Sequence, residues 1–244
     1  MSEDDILKKE APSKEEFWDE IREGYKELIK DIPIRLPYEP PSGNKKMFPL
    51  LTQHAKVGLR YRTASLAETA IELFEKDKLL PAIIIARSIF ETVILLFWLH
   101  RRLEQVVKER KFGDMDDFLG RMAFGNKLGS DTKNQDGYDF EALNVMTGIK
   151  NFSKVHDEKI TELYDDLCEF AHPNFSGTLA CFSKLKREYG YVDFSFDAIH
   201  QRGNELQGFG LSLLSVCLMT FNGYEEEIDR LLPAFEAICN EKGE

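Results

Sequence analysis

The 244-residue sequence predicts an all-α fold: an antiparallel helical bundle with an N-terminal helical arm and a small irregular or hairpin insertion after residue 177. Three observations predict it. Apolar residues recur every three to four positions through several long runs, the spacing that lines up one face of a helix. Two further runs, residues 81–99 and 205–221, are apolar nearly all round, as helices at the centre of a bundle must be. Prolines and glycines fall mainly between these runs rather than inside them.

Taken in order, residues 1–13 read as a charged tail. The first helix opens at Ser13, where Glu16 three residues on completes a capping-box pattern, and Phe17, Ile21, Tyr25 and Leu28 form its apolar face. "IPIRLPYEPPSG" then carries four prolines and predicts an extended connector, so the first helix is expected as an arm packed separately from the bundle. We therefore divide the chain into residues 1–48, comprising tail, helix and connector, and residues 49–244, the bundle. The run from about Pro49 to Leu79 places Leu59, Leu66, Ala70, Leu73 and Phe74 at helical spacing. Pro81 suits the first turn of a returning helix, and so short a turn makes the two helices antiparallel neighbours.

From Gly113 to about Phe152 periodicity is lost and glycines accumulate, with "GSDTKNQDGYD" expected as a mobile loop. A helical pattern resumes near Val155 and runs to Ala171. The partial alternation and Tyr-Gly step after residue 177 predict a short hairpin or irregular cover. The last segments, "ELQGFGLSLLSVCLMTF" and "YEEEIDRLLPAFEAIC", are helical, with Pro233 bending or restarting the second.

Composition narrows function. The 43 acidic against 32 basic side chains give a net charge of −11, which disfavours broad contact with a phosphate backbone. One basic cluster, His100, Arg101, Arg102, Lys108, Arg110 and Lys111, closes the apolar helix; it complements the helix dipole and is the patch at which RNA could be met. The four cysteines form no CxxC pair and are expected as free thiols of a reducing cytoplasm. "PAIIIARSIFETVILLFWL" is long enough to span a bilayer, but Arg87 and Glu91 near its middle argue for a bundle core and against a membrane.

Three positions could carry chemistry. Arg87 and Glu91, four apart on one helix face, are either a self-satisfied ion pair or the lining of a polar pocket where Arg87 could hold an anion, with Glu68 on the neighbouring helix as a further ligand-binding carboxylate. His172 precedes Pro173, which cannot continue the helical ladder, so the helix should stop there, and Asn174 and Gly177 supply the turn, with Asn174 also expected among the ligand-binding residues. That end either is a plain structural stop or presents the imidazole, which Glu169 one turn earlier could orient. Glu169 and His172 also spell the Glu-x-x-His step of di-iron bundles, but the step occurs once, so neither a metal nor another cofactor is expected. Glycine-rich nucleotide loops, the Gly-x-Ser-x-Gly elbow and His-Glu-x-x-His are all missing.

The stretches "AIIIARSIFETVILLFWL" and "LYDDLCEFAHPNFSG" resemble a bacterial helical family catalogued as a domain of unknown function, through an Ala-Arg-x-x-x-Glu helix and a Tyr-x-x-Leu-Ser/Cys-Glu-x-x-His-Pro step. The resemblance spans roughly residues 50–180 and implies an all-helical fold, with kinship to the HEPN and abortive-infection proteins of bacterial defence. Many HEPN proteins are metal-independent ribonucleases with an Arg-x4–6-His step. No arginine here has a histidine at that spacing, so Arg87 and His172 would have to meet through folding.

Two functions follow as expectations. One is a non-catalytic helical module whose pocket around Arg87, Glu91 and His172 recognises a protein partner or small ligand, with removal of Arg87 costing ~3–5 kcal/mol if its carboxylate partner is left buried alone. The other is a ribonuclease in which Arg87 stabilises the scissile phosphate and His172, oriented by Glu169, transfers the proton. A homodimer is a further expectation, since the apolar helices could exceed what one chain covers.

Overall fold

The computed structural model describes residues 13–37, 47–125, 141–196 and 203–241. It is an all-α bundle with one small antiparallel hairpin. The helices are α1 (Lys14–Ile29), α2 (Phe48–Glu75), α3 (Leu79–Glu109), α4 (Met115–Phe124), α5 (Val145–Val155), α6 (Lys159–Ala171), the single turn α7 (Leu179–Phe182) and α8 (Gly203–Glu241). Strands β1 (Ser183–Lys186) and β2 (Tyr191–Phe194) lie between α7 and α8. The tail, most of the proline-rich connector and the expected loop around Gly129–Gly137 lie outside the described residues.

Helix α3 is the axis of the molecule. It packs against α2, α5, α6 and α8 at once, which is why its sequence is apolar on nearly every side. Ala82, Ile83, Ala86, Ile89, Leu96 and Leu99 are wholly enclosed. Both α3 and α8 are long and apolar enough to cross a membrane by length and composition, and here the two pack against each other in the core.

The α2–α3 hairpin turns through Asp77, whose φ of 51° is left-handed, while the amide of Lys78 donates back to the carbonyl of Leu73 at 2.8 Å. Tight approach then closes the bundle from the other side. At Gly210 of α8 a Cβ would meet the Phe74 ring at 2.5 Å, so only glycine lets α8 lie this near α2. The N-terminal arm is present with its capping box intact, Ser13 Oγ accepting from the Glu16 amide at 3.2 Å. It is docked rather than separate: α1 lies along α8 with Ile21 and Leu28 fully buried.

Three stretches depart from the sequence expectation. The region from Gly113 to Phe152 contains two helices, α4 and α5, where loss of periodicity suggested none. The glycines that suggested loop are partly packing residues: a Cβ on Gly148 would sit 2.6 Å from Ile94 and 3.2 Å from Trp98, so α5 can lie on α3 only without a side chain there. The helix expected from Val155 to Ala171 is broken, with His156 closing α5 and α6 beginning at Lys159. Of the two expectations at Pro233, a restart is not seen: α8 runs through it as one helix.

The insertion after residue 177 is a hairpin. Gly190 makes its turn at φ 71°, and the register pairs Ser183 with Phe194, Lys184 with Asp193, Leu185 with Val192, and Lys186 with Tyr191. Directly opposed residues share a face. One face therefore carries Leu185, Val192 and Phe194, the other Lys184, Lys186, Tyr191 and Asp193. The apolar face is uncovered: Leu185 is 57%, Val192 43% and Phe194 68% exposed.

Candidate functional site

Helix α6 meets α3 where Arg87 and Glu91 stand one turn apart. Tyr164 of α6 reaches between them. Its hydroxyl accepts from Arg87 Nη2 at 2.9 Å and donates to Glu91 Oε1 at 2.8 Å, and Arg87 Nη2 lies 3.0 Å from the same carboxylate oxygen. The guanidinium also sits 5.1 Å above the tyrosine ring, within cation–π range. A closed triangle of charge, hydroxyl and carboxylate results. Tyr164 is the residue that sequence reasoning missed, although it opens the very motif that drew attention to His172.

The triangle's electrostatics follow from its half-buried position. Desolvation works against the Arg87 charge, but the Tyr164 hydrogen bond and the Glu91 carboxylate outweigh it, and the guanidinium pKa is raised. Burial pushes the Tyr164 phenol up to about 12; the bond it receives from Arg87 pulls the other way, and the Glu91 carboxylate adds to the rise. Arg87 Nε is buried and has no partner among the described residues. A buried unpaired donor is costly.

A cavity of about 380 Å³ opens beside the triangle. Its walls are Arg87, Glu91 and Tyr164 on one side and the segment Glu141–Met146 on the other. Asn144 caps α5 there, its side-chain oxygen accepting from the Met146 amide at 3.0 Å. The site therefore offers a cation, carboxylates and a helix N-terminus to one small volume.

The other expected site residues lie elsewhere. His172 ends α6 as Pro173 requires, with extended backbone at φ −85° and ψ 147° and its amide on the Cys168 carbonyl. Its side chain is exposed and does not line the Arg87 cavity. From Tyr164 to His172 is eight residues, about 12 Å along the helix. Glu169 does not hold the imidazole; it accepts from Asn174 Nδ2 at 2.5 Å, while Asn174 Oδ1 takes the Gly177 amide at 3.0 Å. Those two bonds build the turn, and Gly177 must be glycine because a Cβ would meet the His172 carbonyl oxygen at 2.2 Å. Glu68 is exposed on α2 and acts on Tyr25 of α1, whose phenol is raised by burial first and by that carboxylate second. Arg87 and Glu91 are thus brought together, Glu169 and Asn174 form a separate turn, and His172 and Glu68 join neither.

All four cysteines are free thiols, and Cys181, Cys217 and Cys239 are buried. Among the described residues no group of three or more His, Cys, Asp or Glu side chains is placed to hold a metal ion. No protein-family model, curated protein or solved structure matches the chain.

Proposed function

We propose that the protein is a non-catalytic helical binding module, in the setting of bacterial phage defence that the resemblance implies, whose ligand enters the cavity beside Arg87. The observation that carries this reading is the triangle itself. Arg87 is already bonded to Tyr164 and Glu91, so the site presents a fixed, nearly neutral arrangement of donors and acceptors rather than a free cation waiting for a phosphate. Such an arrangement suits a small ligand with both a donor and an acceptor, read by Arg87 and Glu91 together. The uncovered apolar face of the hairpin supports a protein partner as well, because soluble chains seldom leave aromatic and branched side chains clustered in water without use.

The ribonuclease reading, with Arg87 and His172 as the working pair, is less well supported, since His172 does not line the cavity beside Arg87. The deciding experiment incubates the purified chain with single-stranded RNA in excess chelator, alongside His172→Ala. Intact RNA over a wide protein range is expected. Cleavage by the parent chain that His172→Ala abolishes, with folding unchanged, would replace the module reading with the enzyme.

A further inference from the structure

A second site lies at the other end of α5 from the Arg87 triangle, lined by Asn151, Lys154 and Val155 where the first is lined by Asn144, Val145 and Met146. The later half of α3 and the end of α5 enclose a groove of about 510 Å³, within the range of small-molecule sites. Four cationic side chains line it, Arg101, Arg102, Lys108 and Lys154, against two carboxylates, Glu104 and Glu109. That excess is local and stands against a chain of net charge −11.

The ion pairs sort these charges. Arg101 is 2.5 Å from Glu104, and Arg102 is 3.0 Å from Asp114 and lies over the Phe118 ring at 5.5 Å. Lys108 and Lys154 make no ion pair among the described residues. They come from the two walls, Lys108 from α3 and Lys154 from the last turn of α5. The amides of Gln105 and Asn151 line the same space. Apolar side chains share the lining: Phe97 and Trp98 one turn before Arg101 and Arg102 on α3, and Val155 beside Lys154 on α5. Trp98 is pinned by Phe118, ring centroids 6.1 Å apart, and by the close approach at Gly148.

We infer that this groove binds a nucleotide: a planar ring set against Trp98 and phosphates reached by Lys108 and Lys154. An apolar platform beside unpaired ammonium groups fits a ligand that is itself aromatic at one end and polyanionic at the other. From Trp98 to Lys108 is ten residues, about 15 Å of helix, enough to span a base, a sugar and two phosphates. In an otherwise acidic chain such a groove also concentrates anions locally. The ligand source is either a free nucleotide or the end of an RNA strand, which share this chemistry.

The test titrates the full chain carrying Trp18→Phe, so that emission reports Trp98, with ADP, adenosine, inorganic pyrophosphate and a short single-stranded RNA. The same titration is run on Lys108→Glu/Lys154→Glu, both surface changes, and on Arg87→Ala. Saturable quenching by ADP, weaker responses to adenosine and pyrophosphate alone, and a loss of at least ~10-fold in affinity in the double variant are expected. RNA binding tighter than ADP, with the same sensitivity to the two lysines, supports the groove and identifies the strand as its source. No response to ADP or RNA at millimolar concentration, or equal affinity in the double variant, overturns the inference. Arg87→Ala should bind ADP as the parent does, so a failure here leaves the Arg87 reading standing, and the reverse.

Discussion

Arg60 of α2 reaches Glu225 of α8 at 3.2 Å while the rest of its guanidinium caps α1. Its Nε donates to the Leu28 carbonyl at 2.7 Å, and Nη2 donates to the carbonyls of Glu27 and Lys30. Lys56, one turn earlier, lies 2.5 Å from Asp229 and 4.0 Å from Glu225. One arginine therefore donates to carbonyls at the end of α1 and ties that helix to α2 and α8. Burial pushes the Glu225 carboxyl upward, and the Arg60 and Lys56 charges pull it back only in part.

Removing Arg60 should hence do two things at once. Arg60→Met is expected to cost about 3 kcal/mol in urea unfolding, because Glu225 and the end of α1 are left underpaired in a mostly enclosed site. Hydrogen exchange should quicken throughout α1 and little in α3. Unchanged protection of α1 would mean that Ile21 and Leu28 hold the arm without the arginine.

Much of this was visible in the residues alone, and the reasons for the rest are physical. The capping box at Ser13, the stop at Pro173 and the Arg87–Glu91 pair depend on near neighbours in sequence, so spacing revealed them. Helices α4 and α5 escaped notice because each is about three turns long, and because Gly148 reads as punctuation when its role is contact with Ile94 and Trp98. Tyr164, Arg60 and Glu225 occupy ordinary helix positions. What sets them apart is which distant side chain they meet, and only the packing decides that.

The glycines supply a paired prediction. Gly210→Ala drives a Cβ into the enclosed Phe74 ring and should destabilise by ~1–3 kcal/mol. Gly223, in the same helix, is exposed, and a methyl there would meet nothing within 4 Å, so Gly223→Ala should stabilise by ~0.5–1 kcal/mol. Thermal or urea melts of the two variants test the sign of each change.

At the triangle the cost of losing Arg87 is smaller than a fully buried pair would give. Glu91 keeps the hydrogen bond from Tyr164 and part of its hydration, so Arg87→Ala should cost ~1–2 kcal/mol. Tyr164→Phe carries a pH signature. The folded phenol sits at about 12 and an unfolded one near its ordinary value of 10. Its contribution is complete below pH 10 and is lost as pH rises from there through 12, as the unfolded chain ionises first. Stability of Tyr164→Phe should therefore decline less over that range than that of the parent, as read from unfolding midpoints at stepped pH.

His100 predicts the opposite dependence. Desolvation lowers its pKa; Glu104 and Glu227 oppose this, and Arg101 adds to it. Its Nδ1 is buried and has no partner among the described residues, and its ring lies 5.2 Å from Tyr224. With the folded value below the ordinary 6.5, its share of stability is present above that pH and lost as pH falls, because the unfolded chain takes the proton first. His100→Phe should flatten the fall in stability between pH 7 and pH 5. An identical slope in parent and variant would remove His100 from the acid response.

The hairpin gives the last test. Two strands alone are marginal in water, and this pair holds Leu185, Val192 and Phe194 on a face that nothing described covers. If that face serves a partner, it should be dispensable to the fold and sticky in solution. Leu185→Ser/Phe194→Ser is expected to leave the unfolding free energy within ~0.5 kcal/mol, as surface changes do. The same variant should lose most of the native chain's binding of an apolar fluorescent dye, and any concentration-dependent rise in sedimenting mass should fall with it. Marked destabilisation with the dye signal unchanged would show the opposite: that these side chains are packed within the chain and offer no docking surface.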